Sequence, residues 1–108
     1  MKGTCNEKVE DEMRTHANQI AKLMCQLANE NRLLILCALL DGPKTVGDIA
    51  EQVHGITAPA LSQHLHKLRD ANLVCTKKYA QFVQYSICDP RIVELMELLK
   101  KQFCKMEE

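Results

Sequence analysis

The chain has 108 residues, 14 basic and 14 acidic, so its formal net charge is zero. Hydrophobic residues make up 46% and charged residues 26%, which is the balance of a soluble globular fold, and the length allows one domain over 1–108 with 1–6 expected as a disordered tail. The polar start MKGTCNEKVEDEM and the lack of any apolar run near the ~20 residues of a spanning helix predict a cytoplasmic protein.

The first helix is expected from about Asn6 to Leu27. Val9, Met13, Ala17, Ile20, Met24 and Leu27 recur every three or four residues and form one apolar stripe. Asn29 or Asn31 caps a second helix, RLLILCALL, which is apolar nearly all round and should be the buried centre, ending at Asp41-Gly42-Pro43. Thr45 caps a short third helix, with Asp48 as a capping-box partner, and Gly55 supplies the following turn. Thr57 caps a fourth helix in which Pro59 is tolerable because it falls in the first turn. On that helix Ala58, Leu61, Leu65 and Leu68 should be buried, while Pro59, Ala60, Gln63, His66 and Lys67 face the other way. Two β-runs follow, Val74–Lys78 and Phe82–Cys88, with a turn near Tyr79-Ala80-Gln81. Asp89-Pro90 opens a last helix with Ile92, Leu95, Met96, Leu99 and Phe103 on one face.

Helix, turn, helix, polar-faced helix and hairpin, in that order, describe a winged helix-turn-helix, a mainly α fold with a β-hairpin that lays one helix in a DNA groove. Charge placement agrees: residues 57–88 hold Lys67, Arg69, Lys77 and Lys78 against Asp70 alone, where phosphates would lie. Candidate DNA contacts are Thr57, Ala58, Pro59, Ala60, Ser62, Gln63, His64 and Lys67 on the reading helix and Lys77, Lys78 and Gln81 on the wing. Gln63 suits bidentate recognition of adenine, and Ala60 suits a thymine methyl. His64 is a candidate phosphate or base contact. His64 and His66 face different ways and cannot share a metal. No nucleophile–base–orienter set or glycine-rich phosphate loop argues for an enzyme, and no cofactor is expected.

The segments LANENRLLIL, TVGDIAEQV and ITAPALSQHLHKLRDANLV, followed by YSI, resemble the ArsR-type (arsenical-resistance repressor) winged-helix family over about residues 10–104. RLLILCALL, with a cysteine near the end of the last helix, resembles its dithiol branch, which includes biofilm-growth-associated repressors and haemolysin-gene regulators. That resemblance implies a homodimer through the first and last helices. Its reduced form would bind a double-stranded operator and leave it when Cys37 and Cys104 become bridged by reactive sulfur species or oxidants. Metal-sensing members of the family carry a CxC-type motif or an Asp-x-His pair. The corresponding places here read TVGDIA and Asp89-Pro90-Arg91, so neither metal site is expected.

Six cysteines without a CxxC give no thioredoxin-type or zinc-knuckle signature. Cys88, at a helix start where the dipole favours a thiolate, rivals Cys104 as the reactive partner. With the turn centred at Tyr79-Ala80, Cys75 falls opposite Gln84, which disfavours a hairpin disulfide to Cys88. Cys5 falls in the tail and Cys25 late in the first helix, where it reads as interface filler. Two alternatives stay open: a metalloid- or metal-responsive repressor using a non-standard cysteine site, and a winged-helix protein-interaction module with no DNA role.

Overall fold

A computed structural model describes residues 7–104. Five helices and a small sheet follow in the order α1 Glu7–Leu27, α2 Glu30–Leu39, β1 Lys44–Thr45, α3 Val46–Gln52, α4 Ala58–Asp70, β2 Val74–Tyr79, β3 Phe82–Ile87 and α5 Pro90–Phe103. The expected tail, with Cys5, lies outside the described residues.

Each helix after the first begins where a side chain can satisfy a free backbone N–H. Asn29 accepts from the Arg32 amide, Thr57 from Ala60 and Asp89 from Arg91. Thr45 and Asp48 form a reciprocal capping box. Gly42 and Gly55, at φ +133° and +87°, carry the chain out of α2 and into α4 through conformations that a Cβ would strain.

The core is aliphatic. Ile35 and Leu36 of α2, Ile49 of α3, Leu61, Leu65 and Leu68 of α4, and Ile92 of α5 are all sealed from solvent. Together they pin α4 by its apolar side and leave the other side outward. Ala58 departs from the expected pattern. It is exposed, because at the first helical position the chain has not yet turned its apolar face inward.

The sheet has the antiparallel order β1-β3-β2, and β1 was not anticipated. Two residues give no periodicity, and Lys44–Thr45 is a strand only because it pairs with Tyr85 and Gln84, distant in sequence. The β2–β3 hairpin turns on Ala80-Gln81, with Tyr79 opposite Phe82 and Cys75 opposite Ser86. The expected register therefore sat two residues short on β3. Ala80 adopts φ +54°, rare for alanine, so nothing in its chemistry marked it as the first residue of the turn.

Two helices leave apolar surface uncovered. Along α1, Met13 and Met24 are 50% and 44% exposed; the expected stripe meets the core only through Leu27, with Leu23, outside that stripe, packed beside it. On α5 Ile92 and Met96 are buried, but Phe103, expected on the packed face, is 79% exposed because the helix runs past the core there. No helix among the described residues is long and apolar enough to cross a membrane.

Candidate DNA-reading face and thiol groove

The outward side of α4 carries the residues that the sequence singled out. Thr57, Ala58, Pro59, Ser62, Gln63 and Lys67 are exposed, and Ala60 is half-buried. Thr57 is engaged locally, its hydroxyl accepting from the Ala60 amide at 3.2 Å. Lys77, Lys78 and Gln81 are exposed on the hairpin. The Lys77 ammonium lies 5.4 Å from the centre of the Tyr79 ring, a cation–π contact that steadies the lysine without removing it from solvent. A polar helix face and a cationic hairpin, both open to solvent, suit base edges and phosphates respectively.

His64 stands apart from that face. It is half-buried, and its Nδ1 accepts from Arg32 Nε at 3.3 Å. Arg32 also donates to the Gln26 backbone carbonyl and to Gln26 Oε1, at 3.2 and 2.9 Å. This chain of bonds ties the end of α1 and the start of α2 to α4, so the Nδ1 side of His64, a candidate phosphate or base contact, is engaged inside the protein. Burial lowers its pKa, and the charges of Arg32 and Lys67 lower it further. Arg32 escaped the sequence reading because its partner is far along the chain.

Cys37 and Cys104 both line one apolar groove of about 400 Å³ between α2 and α5. From α2 come Glu30, Leu33, Leu34 and Cys37; from α5 and its end come Met96, Leu99, Lys100, Phe103 and Cys104. Each set repeats every three or four residues, so each is a single helix stripe. Both thiols are free; Cys37 is half-buried against the core and Cys104 is exposed. Cys104 caps α5, its amide bonded to the Lys100 carbonyl at 2.8 Å. Among the described residues Glu30 and Lys100 are the charged members of the groove lining, and neither was singled out from sequence.

Cys75 and Cys88 form a disulfide with a Cα–Cα distance of 5.7 Å. This corrects the expectation that register disfavours the pair. Once the turn falls on Ala80-Gln81, Cys88 sits diagonal to Cys75, within reach across a twisted hairpin. The remaining described cysteine, Cys25, is free and exposed. The Asp89 carboxylate is fully engaged. It accepts from the Arg91 amide and from the guanidinium, at 2.7 Å for the shorter contact, and these bonds hold its pKa below the usual carboxylate range. Among the described residues no cluster of three or more His, Cys, Asp or Glu side chains could hold a metal ion.

Comparison with known proteins places this architecture. Residues 29–76, from the α2 cap into the hairpin, match the family described as "Bacterial regulatory protein, arsR family". The transcriptional activator HlyU of Vibrio cholerae is 37% identical over 97 residues, 90% of this chain and 89% of that protein. The crystal structure of the transcriptional repressor BigR from Xylella fastidiosa superposes with a TM-score of 0.81 at 31% identity, covering 90% of this chain and 98% of that one. A homodimeric winged helix-turn-helix DNA-binding domain from Mycobacterium bovis, solved by NMR, superposes at 0.71 with 25% identity, covering 100% of this chain and 94% of that one. With this sequence identity carried on the same winged helix-turn-helix, the chain belongs to the arsR family of DNA-binding transcription regulators.

Proposed function

We propose that this regulator is a homodimeric repressor that releases its operator when Cys37 and Cys104 of one subunit become bridged. The observation that carries the reading is the shared groove: two thiols far apart in sequence line one apolar recess between α2 and α5. An apolar recess admits small, weakly hydrated reagents and disfavours bulky charged ones, which gives a dithiol selectivity.

The chemistry balances with either inducer class. A thiolate attacks the terminal sulfur of an organic persulfide, takes that sulfur and releases the thiol. The second thiolate then attacks the protein persulfide, forms the disulfide and expels sulfide. With a hydroperoxide, the first thiolate takes the terminal oxygen and releases the alcohol, and the second displaces water from the sulfenic acid. Cys37 lies in the central helix that packs on α4, and Cys104 lies at the end of α5. Bridging them couples the groove to the placement of the reading helix. A change of about 1.4 kcal/mol in binding is already tenfold in affinity.

Fluorescence anisotropy on operator DNA tests this. The wild type should lose at least about tenfold in affinity on treatment with an organic persulfide or a hydroperoxide. Cys37→Ser and Cys104→Ser should each bind when reduced yet fail to release. Peptide mapping by mass spectrometry identifies the inducer class, and a response that survives in Cys104→Ser would refute the pair.

A further inference from the structure

The bridge between Cys75 and Cys88 lies away from the groove and closes a different part of the molecule. It joins β2 to the residue just after β3, immediately before the Asp89 cap of α5. The segment it encloses, 13 residues in sequence separation, holds Lys77, Lys78 and Gln81, every wing residue offered above as a DNA contact. Both cysteines are exposed, so a soluble reagent can reach either sulfur. The hairpin around them is paired along its length from Val74–Ile87 to Tyr79–Phe82, and the Cys88 amide donates to the Leu73 carbonyl at 3.1 Å. The hairpin pairing thus brings the two side chains within bonding reach of each other, and the covalent bond adds a constraint that the hydrogen bonds alone do not supply.

We propose that Cys75 and Cys88 are a second thiol–disulfide couple, exchanging with low-molecular-weight disulfides, whose bridge clamps the DNA-contacting wing to the start of α5. One cysteine thiolate attacks a sulfur of the small disulfide and releases one thiolate. The other cysteine attacks the resulting mixed disulfide, closes the Cys75–Cys88 bond and releases the second. The protein loses two electrons and two protons, and the small disulfide becomes two thiols. A bridged wing has less freedom to lose on meeting a duplex, so the clamp strengthens DNA binding, opposite in sign to the effect proposed for the groove.

The couple is tested in a chain carrying Cys5→Ser, Cys25→Ser, Cys37→Ala and Cys104→Ser. This chain lacks the groove thiols, so the result is independent of the groove reading. Oxidised glutathione should close the bridge, seen as a loss of two hydrogens in mass and a linked Cys75–Cys88 peptide. The bridged form should then bind a mixed-sequence duplex about threefold more tightly than the dithiothreitol-reduced form, with slower amide exchange across Lys77–Gln84. Glutathione adducts that persist without closing, or a bridged form with equal or weaker affinity, would overturn the proposal. If the substituted chain does not fold, differential alkylation of the wild type reads the same bond, and linkage of either cysteine to any other partner overturns it equally.

Discussion

Gln63 and Lys77 offer different chemistry to a duplex, so removing each should damage binding in a different way. Gln63→Ala takes an amide from an exposed helix face suited to a base edge. It should reduce the preference for operator over scrambled DNA, by about 1–3 kcal/mol if the contact is bidentate. Lys77→Ala should weaken both duplexes about equally and flatten the salt slope by about one. Anisotropy over a salt series separates the two, and a specificity loss in Lys77→Ala would reverse their roles. His64 makes a prediction about acid. Its imidazole accepts from Arg32 through Nδ1, which requires the neutral ring. Burial, Arg32 and Lys67 hold its folded pKa below the ordinary 6.5. A histidine with a lowered folded pKa contributes stability that is fully present above its unfolded value. That stability is lost as pH falls from about 6.5 through the folded pKa. Urea midpoints should therefore drop between pH 7 and 5, and the drop should be smaller in His64→Gln. Equal pH slopes in the two proteins would count against the Arg32–His64 tie.

At the scale of elements, the caps were legible because their chemistry is local. Asn29, Thr45 with Asp48, Thr57 and Asp89-Pro90 each needed only a side-chain oxygen within three residues of a free amide. Thr57→Ala should cost about 1 kcal/mol of stability in a urea melt. It should also loosen the first turn of α4, where Ala58 and Pro59 face solvent, and so weaken operator binding beyond random DNA. An unchanged urea midpoint would mean that solvent caps α4 equally well. The α4 core face was legible by the same periodicity that failed only at Ala58. Pairing across sequence was not legible. β1 exists through β3, the hairpin register turned on an alanine in a left-handed conformation, and the Cys75–Cys88 bridge followed from that register. The groove was half legible. Cys37 and Cys104 were named from resemblance, but periodicity orients each helix without saying which stripe meets which.

Over the whole molecule, the largest unresolved feature of a lone subunit is apolar surface without cover. The described chain spans 52 × 35 × 23 Å, long for its size because α1 extends beyond the core. Met13, Ile20 and Met24 lie along one side of that helix at 50%, 36% and 44% exposure, and on α5 Leu98 is 52% exposed. An amphipathic helix is stabilised mainly by burying its apolar face, and a 21-residue helix touching its core only at one end leaves most of that stabilisation unused. In the homodimer proposed above, a second copy of the chain would cover both faces through a two-fold contact, and such a dimer would carry two reading helices at a fixed separation. The pair would then read an inverted repeat with half-sites one helical turn apart or a multiple of it. Met13→Lys combined with Ile20→Lys should convert the dimer to a monomer in light scattering while leaving the caps and core of α2–α5 intact. Operator affinity should fall steeply, because each monomer engages one half-site and the effective concentration of the second reading helix is lost. Binding to a single half-site should change little. If the double variant stays dimeric, the interface lies elsewhere; if it becomes monomeric with full operator affinity, half-site spacing does not govern recognition.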